Sequence, residues 1–306
     1  MKAAIIKSNL KTLMLPIAMI GGAVFYDWME YLTFLSPYLI FTMLFITYCK
    51  LKPSDIRPHK FDVYLLLMQM ILAGLAYGIT FFWNRVLAEG LFICFFIPTA
   101  TAAPVITSML GGSISRVATY SLLCNAFVAI VGPIVLAAIG EHPDITFNVS
   151  FKLILSEIFP LLLLPLVLAW TISYLTPGIH QKIVNCQSLS FYLWAFALFI
   201  VVGSSVSFAI QSWQPDSTPT MIMLAFGALV ACIIQFKAGR RIGARFGDKV
   251  SGGQGLGQKN TVLAVWLALT YLNPLASIAP AAYVAWQNII NSWQLMRFNN
   301  QTLQSA

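Results

Sequence analysis

Ten apolar stretches, each close to the length that crosses a bilayer, divide this chain of 306 residues. A membrane-spanning helix needs about 20 mostly apolar residues. Hydrophobic residues make up 59% of the chain and charged residues only 9%. The sequence therefore predicts an all-α integral membrane protein of ten transmembrane helices, with no separate soluble domain. The predicted spans cover residues 10–27, 31–49, 61–82, 88–110, 117–139, 153–175, 189–211, 219–237, 254–272 and 275–295.

The lysines and arginines are distributed unevenly between the two sides of the predicted spans. Only Arg85 and Lys152 fall on one side. Because cytoplasmic loops are enriched in cations, both termini are predicted to be cytoplasmic. The net charge of +8 then reflects orientation, so the expected partner is the lipid bilayer and not nucleic acid. The fifteen cations on the opposite side are Lys2, Lys7, Lys11, Lys50, Lys52, Arg57, Lys60, Arg116, Lys182, Lys237, Arg240, Arg241, Arg245, Lys249 and Arg297.

The remaining cation, Lys259, lies inside an apolar stretch. Its surroundings read SGGQGLGQKNTVLAVWLALTYLNP over residues 251–274, and the glycines at 252, 253, 255 and 257 predict an interruption of the helix. No Asp or Glu lies near the middle of any predicted span. Since a buried unpaired ammonium is costly in a membrane, Lys259 is a functional candidate.

The chain divides into two predicted halves of five spans each, residues 1–139 and 153–296. Because five is an odd number, the second half must insert upside down relative to the first, as in many secondary transporters. Pro98 and Pro104 interrupt the fourth span, and the glycine run interrupts the ninth, which is its counterpart. Broken helices persist where they are packed in protein or line a wet cavity, and their ends favour ions. A binding site is predicted where they cross.

Other kinds of site find less support in the sequence. The three histidines fall between the spans and the five cysteines are scattered, so no metal site and no enzyme activity are predicted. The glycine run lacks the order of a phosphate-binding loop. Single polar residues in the third and fifth spans, Gln69, Ser121 and Asn125, fit either contacts between helices or ligands of an ion.

Three features together resemble the bile acid:sodium symporter family: Gln69, the run Pro98-Thr-Ala-Thr-Ala-Ala-Pro104, and NTVLAVWLALTYLNPLASIAPAAYVAWQNIINS at residues 260–292. The resemblance implies a panel domain (spans 1, 2, 6 and 7) and a core domain (spans 3–5 and 8–10) with crossing broken helices. It implies a monomer in a bacterial inner (plasma) membrane that transports a small organic anion, bile acid-like or a small carboxylate, by alternating access.

The resemblance also indicates site residues. Thr101 and Asn260 match substrate-side positions, and the candidate substrate-binding set is Thr99, Thr101, Lys259, Asn260 and Asn288. Gln69 and Ser121 match sodium ligands, and the candidate remnants of the ion sites are Gln69, Ser121, Asn125, Gln258 and Lys259.

Several family positions differ in this chain. Ala103 and Pro104 replace a Ser-Asn pair, Val117 replaces a hydroxyl, and Gly255 stands where the family has a sodium-binding glutamate. Lys259 replaces a glutamine. We therefore hypothesise that its ammonium, held by Gln69 and helix carbonyls, stands in for a sodium ion, and that no cofactor is needed. Proton coupling through the lysine would be one consequence. Two alternatives stay open: a sodium symporter with other ligands, and a non-transporting receptor or scaffold.

Overall fold

The computed structural model describes residues 14–140, 147–211, 213 and 215–305. All regular secondary structure in these residues is helical, apart from one isolated antiparallel bridge between Thr99 and Lys259. The lysines at 2, 7 and 11, the start of the first predicted span, and the loop around Glu141 lie outside the described residues.

Residues 14–140, the first described part of the chain, contain seven α-helices. Local signals set several of their starts: the side chain of Asp62 accepts from the His59 backbone N–H at 2.7 Å, and Asn84 accepts from the Leu87 N–H at 2.9 Å. Such caps satisfy N–H groups that a helix start leaves free. The helices are α1 (Met14–Val24), α2 (Tyr26–Met29), α3 (Ser36–Tyr48), α4 (Lys60–Phe81), α5 (Arg85–Phe96), α6 (Ala103–Met109) and α7 (Ile114–Ile139).

The described residues from 147 onward contain seven more α-helices. Most are long and apolar, but α9 is a short helix whose residues are polar and exposed on one side. They are α8 (Phe147–Leu175), α9 (Pro177–Asn185), α10 (Gln187–Gln211), α11 (Thr218–Arg245), α12 (Lys249–Gly257), α13 (Thr261–Tyr271) and α14 (Ile278–Ser305).

Five helical segments of the described chain are each long and apolar enough to cross a membrane. The prediction of an all-α multi-pass membrane protein is therefore confirmed. The predicted fourth and ninth spans each consist of two short helices, so neither piece reaches spanning length. The five long segments are Tyr31–Tyr48, Lys60–Phe81, Ile114–Gly132, Ser188–Gln211 and Pro215–Arg245.

The glycine run does not interrupt its helix, which is a correction to the sequence prediction. Helix α12 continues through all four glycines to Gly257, and the break falls at residues 258–260. The glycines serve close packing against α11: a Cβ on Gly252 would lie 2.2 Å from the carbonyl oxygen of Gly239. Small residues allow membrane helices this close approach, and the packing keeps the glycines helical.

A second correction concerns the cations expected in the loop after the eighth span. Helix α11 extends to Arg245, so Lys237, Arg240 and Arg241 lie on the helix itself, and Lys249 is the first residue of α12. Lysine and arginine are good helix formers, so a helix can continue beyond its apolar part. The connection between α11 and α12 is therefore only three residues long.

Contacts between the helices distinguish two groups, which also contact each other where α7 packs against α8 and α10 against α14. One group contains α2, α3, α8 and α10, with α3 against α8 and α10, and α10 against α2. The other contains the broken helices: α5 packs against α4 and α11, and α12 packs against α11. The breaks thus lie within the second group, on the side that faces α3 and α10.

Candidate functional site

The two helix breaks lie against each other. The backbone N–H of Ala100 donates to the Gln258 carbonyl at 3.1 Å, and the N–H of Asn260 donates to the Pro98 carbonyl at 2.9 Å. Because α5 and α12 end at this point and α6 and α13 begin there, four helix ends meet inside the protein. The backbone groups that each break exposes are partly satisfied by the other break.

Lys259 is buried at this meeting point, with 1% of its side-chain surface exposed. Its Nζ donates to Gln69 Oε1 at 2.9 Å and to the carbonyl oxygens of Phe95 and Ile97 at 3.0 Å each. An ammonium carries three donors, and all three are used. No carboxylate among the described residues pairs with it.

The carboxyl-terminal end of α5 is capped by side chains from other parts of the chain. The last carbonyls of a helix have no partner within the helix, and Pro98 removes the N–H that would reach the first of them. Gln235 Nε2 donates to the carbonyl of residue 94 at 3.1 Å, and Gln69 Nε2 to that of residue 96 at 2.7 Å. Together with Lys259, they provide every carbonyl of residues 94–97 with a donor.

The carboxyl-terminal end of α12 is capped in return. Thr99 Oγ1, from the first break, donates to the Gly255 carbonyl at 2.6 Å. Tyr283 Oη donates to the Gly257 carbonyl at 2.8 Å. Each break therefore supplies a cap for the helix of the other break, with an ammonium in one direction and a hydroxyl in the other.

Gln69 holds several of these groups together. Its Oε1 accepts from Lys259 and also from Tyr120 Oη at 2.9 Å, while its Nε2 donates to α5 carbonyls. Between the two roles that the sequence left open, contact between helices and ligation of a cation, the geometry combines both. The cation that it contacts is the lysine.

The backbone of Lys259 is also held on both sides. Its N–H donates to Gln287 Oε1 at 2.9 Å, and its carbonyl accepts from Gln287 Nε2 at 3.3 Å. Gln287, Gln235 and Tyr283 were not selected from the sequence. Gln235 is a single amide inside an apolar stretch, a signal that could have identified it. Gln287 directly precedes Asn288, which was selected, and Tyr283 carries no such signal.

Ser121 and Asn125 form a separate buried group. Asn125 Nδ2 donates to the Ser121 carbonyl at 2.7 Å, to Ser121 Oγ at 3.3 Å and to the Thr99 carbonyl at 3.4 Å. Its Oδ1 is buried and has no hydrogen-bond partner among the described residues. These residues lie behind the first break, apart from the Lys259 ammonium.

A cavity of about 90 Å³ lies between the breaks and the helices α3, α10 and α14. Three residues of the predicted substrate-binding set border it, namely Thr101, Asn260 and Asn288, and so does Gln258 of the predicted ion-site remnants. Thr99 does not border it, because its hydroxyl is turned towards α12. Lys259 borders the cavity, but its ammonium is bound to α5 and Gln69 and has no proton left for a ligand there.

A second cavity, of about 270 Å³, lies between the same two groups of helices, nearer the carboxyl-terminal end of α14. It is bordered by residues of α1, α3, α6, α10 and α14, with the cation Lys50 and several hydroxyl and amide groups among them. The polar residues at its border are Thr47, Lys50, Ser108, Ser188, Ser190, Ser292 and Asn299.

Gly255, in α12, has little space for a side chain. A Cβ on Gly255 would lie 3.1 Å from Tyr120 Cδ1 and 3.2 Å from Leu65 Cδ1. No group of three or more His, Cys, Asp or Glu side chains suited to a metal ion occurs in the described residues. The surroundings of Gly255 are packed with apolar and aromatic carbon, which is a poor setting for a carboxylate.

The fold and this site define the chain as an all-α multi-pass membrane protein in which two broken helices meet around a buried lysine. A scan against protein-family models and a search of curated proteins found no match to the chain.

Proposed function

We propose that the chain is a secondary transporter that moves a small organic anion by alternating access, with the Lys259 ammonium in the place of a coupling sodium ion. The observation that carries the proposal is the ammonium itself: it lies between two paired helix breaks and contacts three oxygen acceptors, and no carboxylate of the described residues pairs with it. Oxygen ligands at the end of a broken helix are the surroundings in which transporters hold a cation.

Matching contacts in the two parts of the chain support an inverted repeat of residues 1–139 and 153–296. Near the start of α5, Glu89 Oε2 accepts from the Asn273 backbone N–H at 2.8 Å, just after α13. At the start of α12, Asp248 Oδ2 accepts from the Ser113 N–H at 3.1 Å, after α6. Each carboxylate thus ties the start of one broken helix to the end of the other.

The two cavities support a pathway between a panel of spans 1, 2, 6 and 7 and a core of spans 3–5 and 8–10. Both cavities lie where the two packing groups face each other, so movement of one group against the other would open and close them. We assign the larger cavity to the cytoplasmic side of a bacterial inner membrane, with both termini cytoplasmic, because most cations lie at that end.

The cavity of about 90 Å³ beside the helix breaks, called the central cavity below, suits a small anion. A drug-sized ligand needs a pocket of roughly 300 Å³ or more, whereas this cavity measures about 90 Å³. The start of α13 faces it, and a helix start favours negative charge. Thr101, Asn260 and Asn288 add hydrogen-bonding groups. A small carboxylate therefore fits this state better than a bile acid does.

Sodium is not needed in this proposal because the protein carries its own cation. Lys259 uses Gln69 Oε1 and two carbonyls as acceptors, and Gly255 offers no carboxylate. A tethered ammonium cannot dissociate with the substrate, so the carrier would act as a uniporter, or would couple to protons through the lysine.

Transport assays in proteoliposomes test the proposal. A series of small carboxylates is offered in sodium and in potassium buffers of equal ionic strength, and equal uptake in both is expected. Strict dependence on sodium would overturn the replacement of sodium by Lys259. Binding of a carboxylate without any flux would instead support a receptor or scaffold.

A variant at Lys259 tests directly whether its ammonium takes the place of sodium. Lys259→Ala removes the ammonium but leaves Gln69 Oε1 and the carbonyls of Phe95 and Ile97, so sodium is expected to raise the melting temperature of the variant and not that of the parent. Lys249→Ala, an exposed lysine at the start of α12, is the matched control. Equal sodium effects in the parent and in Lys259→Ala would contradict the assignment.

A further inference from the structure

A cavity of about 600 Å³ lies on the outer side of the group that contains the breaks, away from the proposed pathway. Its walls come from α11 and α14, and Leu110 and Val250 complete it. Three cations border it: Lys237, Arg240 and Arg297. No acidic residue is among the residues that border it, and none of the three cations pairs with a carboxylate of the described chain.

Along both walls, the residues change from apolar to cationic from the amino-terminal to the carboxyl-terminal end of the helix. Trp286 Nε1 donates to the Ala225 carbonyl and Arg240 Nη1 to Gln294 Oε1, so α11 and α14 run side by side in parallel. On both helices the first bordering residues are apolar, and the cations lie one to two turns further on; on α14 one aromatic residue, Phe298, follows the cation. On α11 the order is Ile233, Phe236, Lys237 and Arg240, and on α14 it is Ile290, Trp293, Gln294, Arg297, Phe298 and Gln301.

Two of the cations are already held in place. Arg240 Nη1 donates to Gln294 Oε1 at 3.2 Å, and that oxygen also accepts from Gln254 Nε2 at 3.2 Å inside the protein. The guanidinium of Arg297 lies over the Trp293 ring, 5.7 Å from its centroid. A cationic side chain that is fixed before binding loses less conformational entropy when an anion arrives.

The outer rim of the cavity faces the bilayer. Among the residues that border it, Ile233 is 37% exposed, Phe298 37% and Trp293 53%. In a membrane-spanning protein such side chains contact acyl chains, and tryptophan favours the level of the lipid head groups. The cavity therefore opens at the depth where a phospholipid has its phosphate, and its apolar part continues towards the acyl chains.

We propose that this cavity binds an anionic phospholipid, with the phosphate group between Lys237, Arg240 and Arg297 and one acyl chain along Ile233 and Ile290. Basic pockets between membrane helices bind anionic head groups in this way. A free phosphate ion would satisfy the three cations equally well. It would leave the apolar wall in contact with bulk lipid, so the amphipathic order of both walls favours the lipid.

The test compares three ligands on the purified full chain after removal of lipid in a neutral detergent. Phosphatidylglycerol is expected to raise the melting temperature, while phosphatidylcholine and inorganic phosphate at the same concentration are not, because ligands stabilise the state that they bind. Equal stabilisation by phosphatidylcholine, or by inorganic phosphate, would overturn the assignment to an anionic lipid.

Two triple variants of equal charge locate the site. Lys237→Gln/Arg240→Gln/Arg297→Gln removes the bordering cations, whereas Arg241→Gln/Arg245→Gln/Lys249→Gln removes three exposed cations from the same region that do not border the cavity. At roughly fivefold in affinity for each cation near a membrane surface, the first variant is expected to bind phosphatidylglycerol about a hundredfold more weakly. The second should retain its affinity within about threefold, since its cations lie outside the cavity.

The Arg240 side chain also packs against Gly253, so its replacement could disturb folding. The double variant Lys237→Gln/Arg297→Gln leaves it intact and is expected to bind on the order of twentyfold more weakly. Equal losses of affinity in the bordering and the control variants would show a general attraction to basic surface, and would overturn the site.

Discussion

The carboxyl-terminal ends of α5 and α12 lie side by side. Each is capped by a residue from the break of the other helix, and the two capping groups differ chemically. The end of α5 receives the Lys259 ammonium, and the end of α12 receives the Thr99 hydroxyl. The two caps even come from residues that form a backbone bridge with each other. Similar backbone geometry therefore coexists with a charge at one end and a neutral group at the other.

The donors that reach the two helix ends differ, although each end leaves four terminal carbonyls, 94–97 on α5 and 255–258 on α12. Proline at position 98 cannot donate to the carbonyl of residue 94, so α5 leaves four carbonyls at residues 94–97 that need donors from elsewhere. Helix α12 is followed by Gln258, whose own carbonyl is satisfied by Ala100. The end of α5 is reached by one ammonium and two side-chain amides, whereas the end of α12 is reached by two hydroxyls and a backbone N–H. A buried lysine can thus be stabilised by a helix end, whose dipole favours a cation, without a carboxylate.

Removal of the charged cap, the Lys259 ammonium, is expected to lower the unfolding free energy the most. Lys259→Met keeps the length of the side chain but leaves the carbonyls of Phe95 and Ile97 with fewer donors. We expect a loss of about 3 kcal/mol in unfolding free energy, since each unsatisfied buried polar group costs about 1 to 3 kcal/mol. Equilibrium unfolding in detergent measures it. Lys249→Met, which changes an exposed lysine in the same way, should alter stability by less than about 0.5 kcal/mol.

Loss of the Gln69 amide, which accepts from the charged cap, should lower the unfolding free energy somewhat less. Gln69→Leu removes one acceptor of Lys259 and the donor to the Phe96 carbonyl, and the Tyr120 hydroxyl loses its partner. The expected loss is about 2 kcal/mol, because Lys259 retains two carbonyls. A double variant with Lys259→Met should show a combined loss smaller than the sum, as expected of contacting residues. Simple additivity would contradict the shared network.

The neutral cap, the Thr99 hydroxyl, is expected to contribute less to the unfolding free energy than the charged cap does. Thr99→Val preserves the shape but removes the donor to the Gly255 carbonyl, for an expected loss of about 1 kcal/mol. Thr107→Val is the matched control, because Thr107 Oγ1 donates to the Ala103 carbonyl in its own helix. That carbonyl keeps a backbone partner, so a loss below about 0.5 kcal/mol is expected. If Thr99→Val were as damaging as Lys259→Met, the contrast between the two caps would fail.

A residue of the central cavity should behave differently from both caps. Asn288 borders the cavity, and its side chain donates only to the Val284 carbonyl within α14. Asn288→Ala should change unfolding free energy by less than about 0.5 kcal/mol. It should raise the KM for a transported carboxylate by about tenfold, the equivalent of a single hydrogen bond. An unchanged KM with normal flux would remove Asn288 from the substrate-binding set.

Much of the fold could be predicted from the sequence because it depends on local physics. A bilayer requires long apolar helices, and a proline lacks an N–H wherever it lies, so the multi-pass class and the break at Pro98 follow from the residues themselves. The charge count also identified Lys259 as a cation inside an apolar stretch. The family resemblance and the transport function stay predictions.

The tertiary structure decided what sequence spacing does not carry. Four glycines permit either a break or a close contact, and only the approach of α11 makes residues 252–257 helical. The Lys259 ammonium is 164 and 162 residues away along the chain from the carbonyls of Phe95 and Ile97, and Gln235 is 141 residues away from the carbonyl of Cys94. The sequence by itself determined that two helices break and that a lysine is buried. Packing alone determined that the lysine caps the other helix, because a hydrogen bond depends on distance in space.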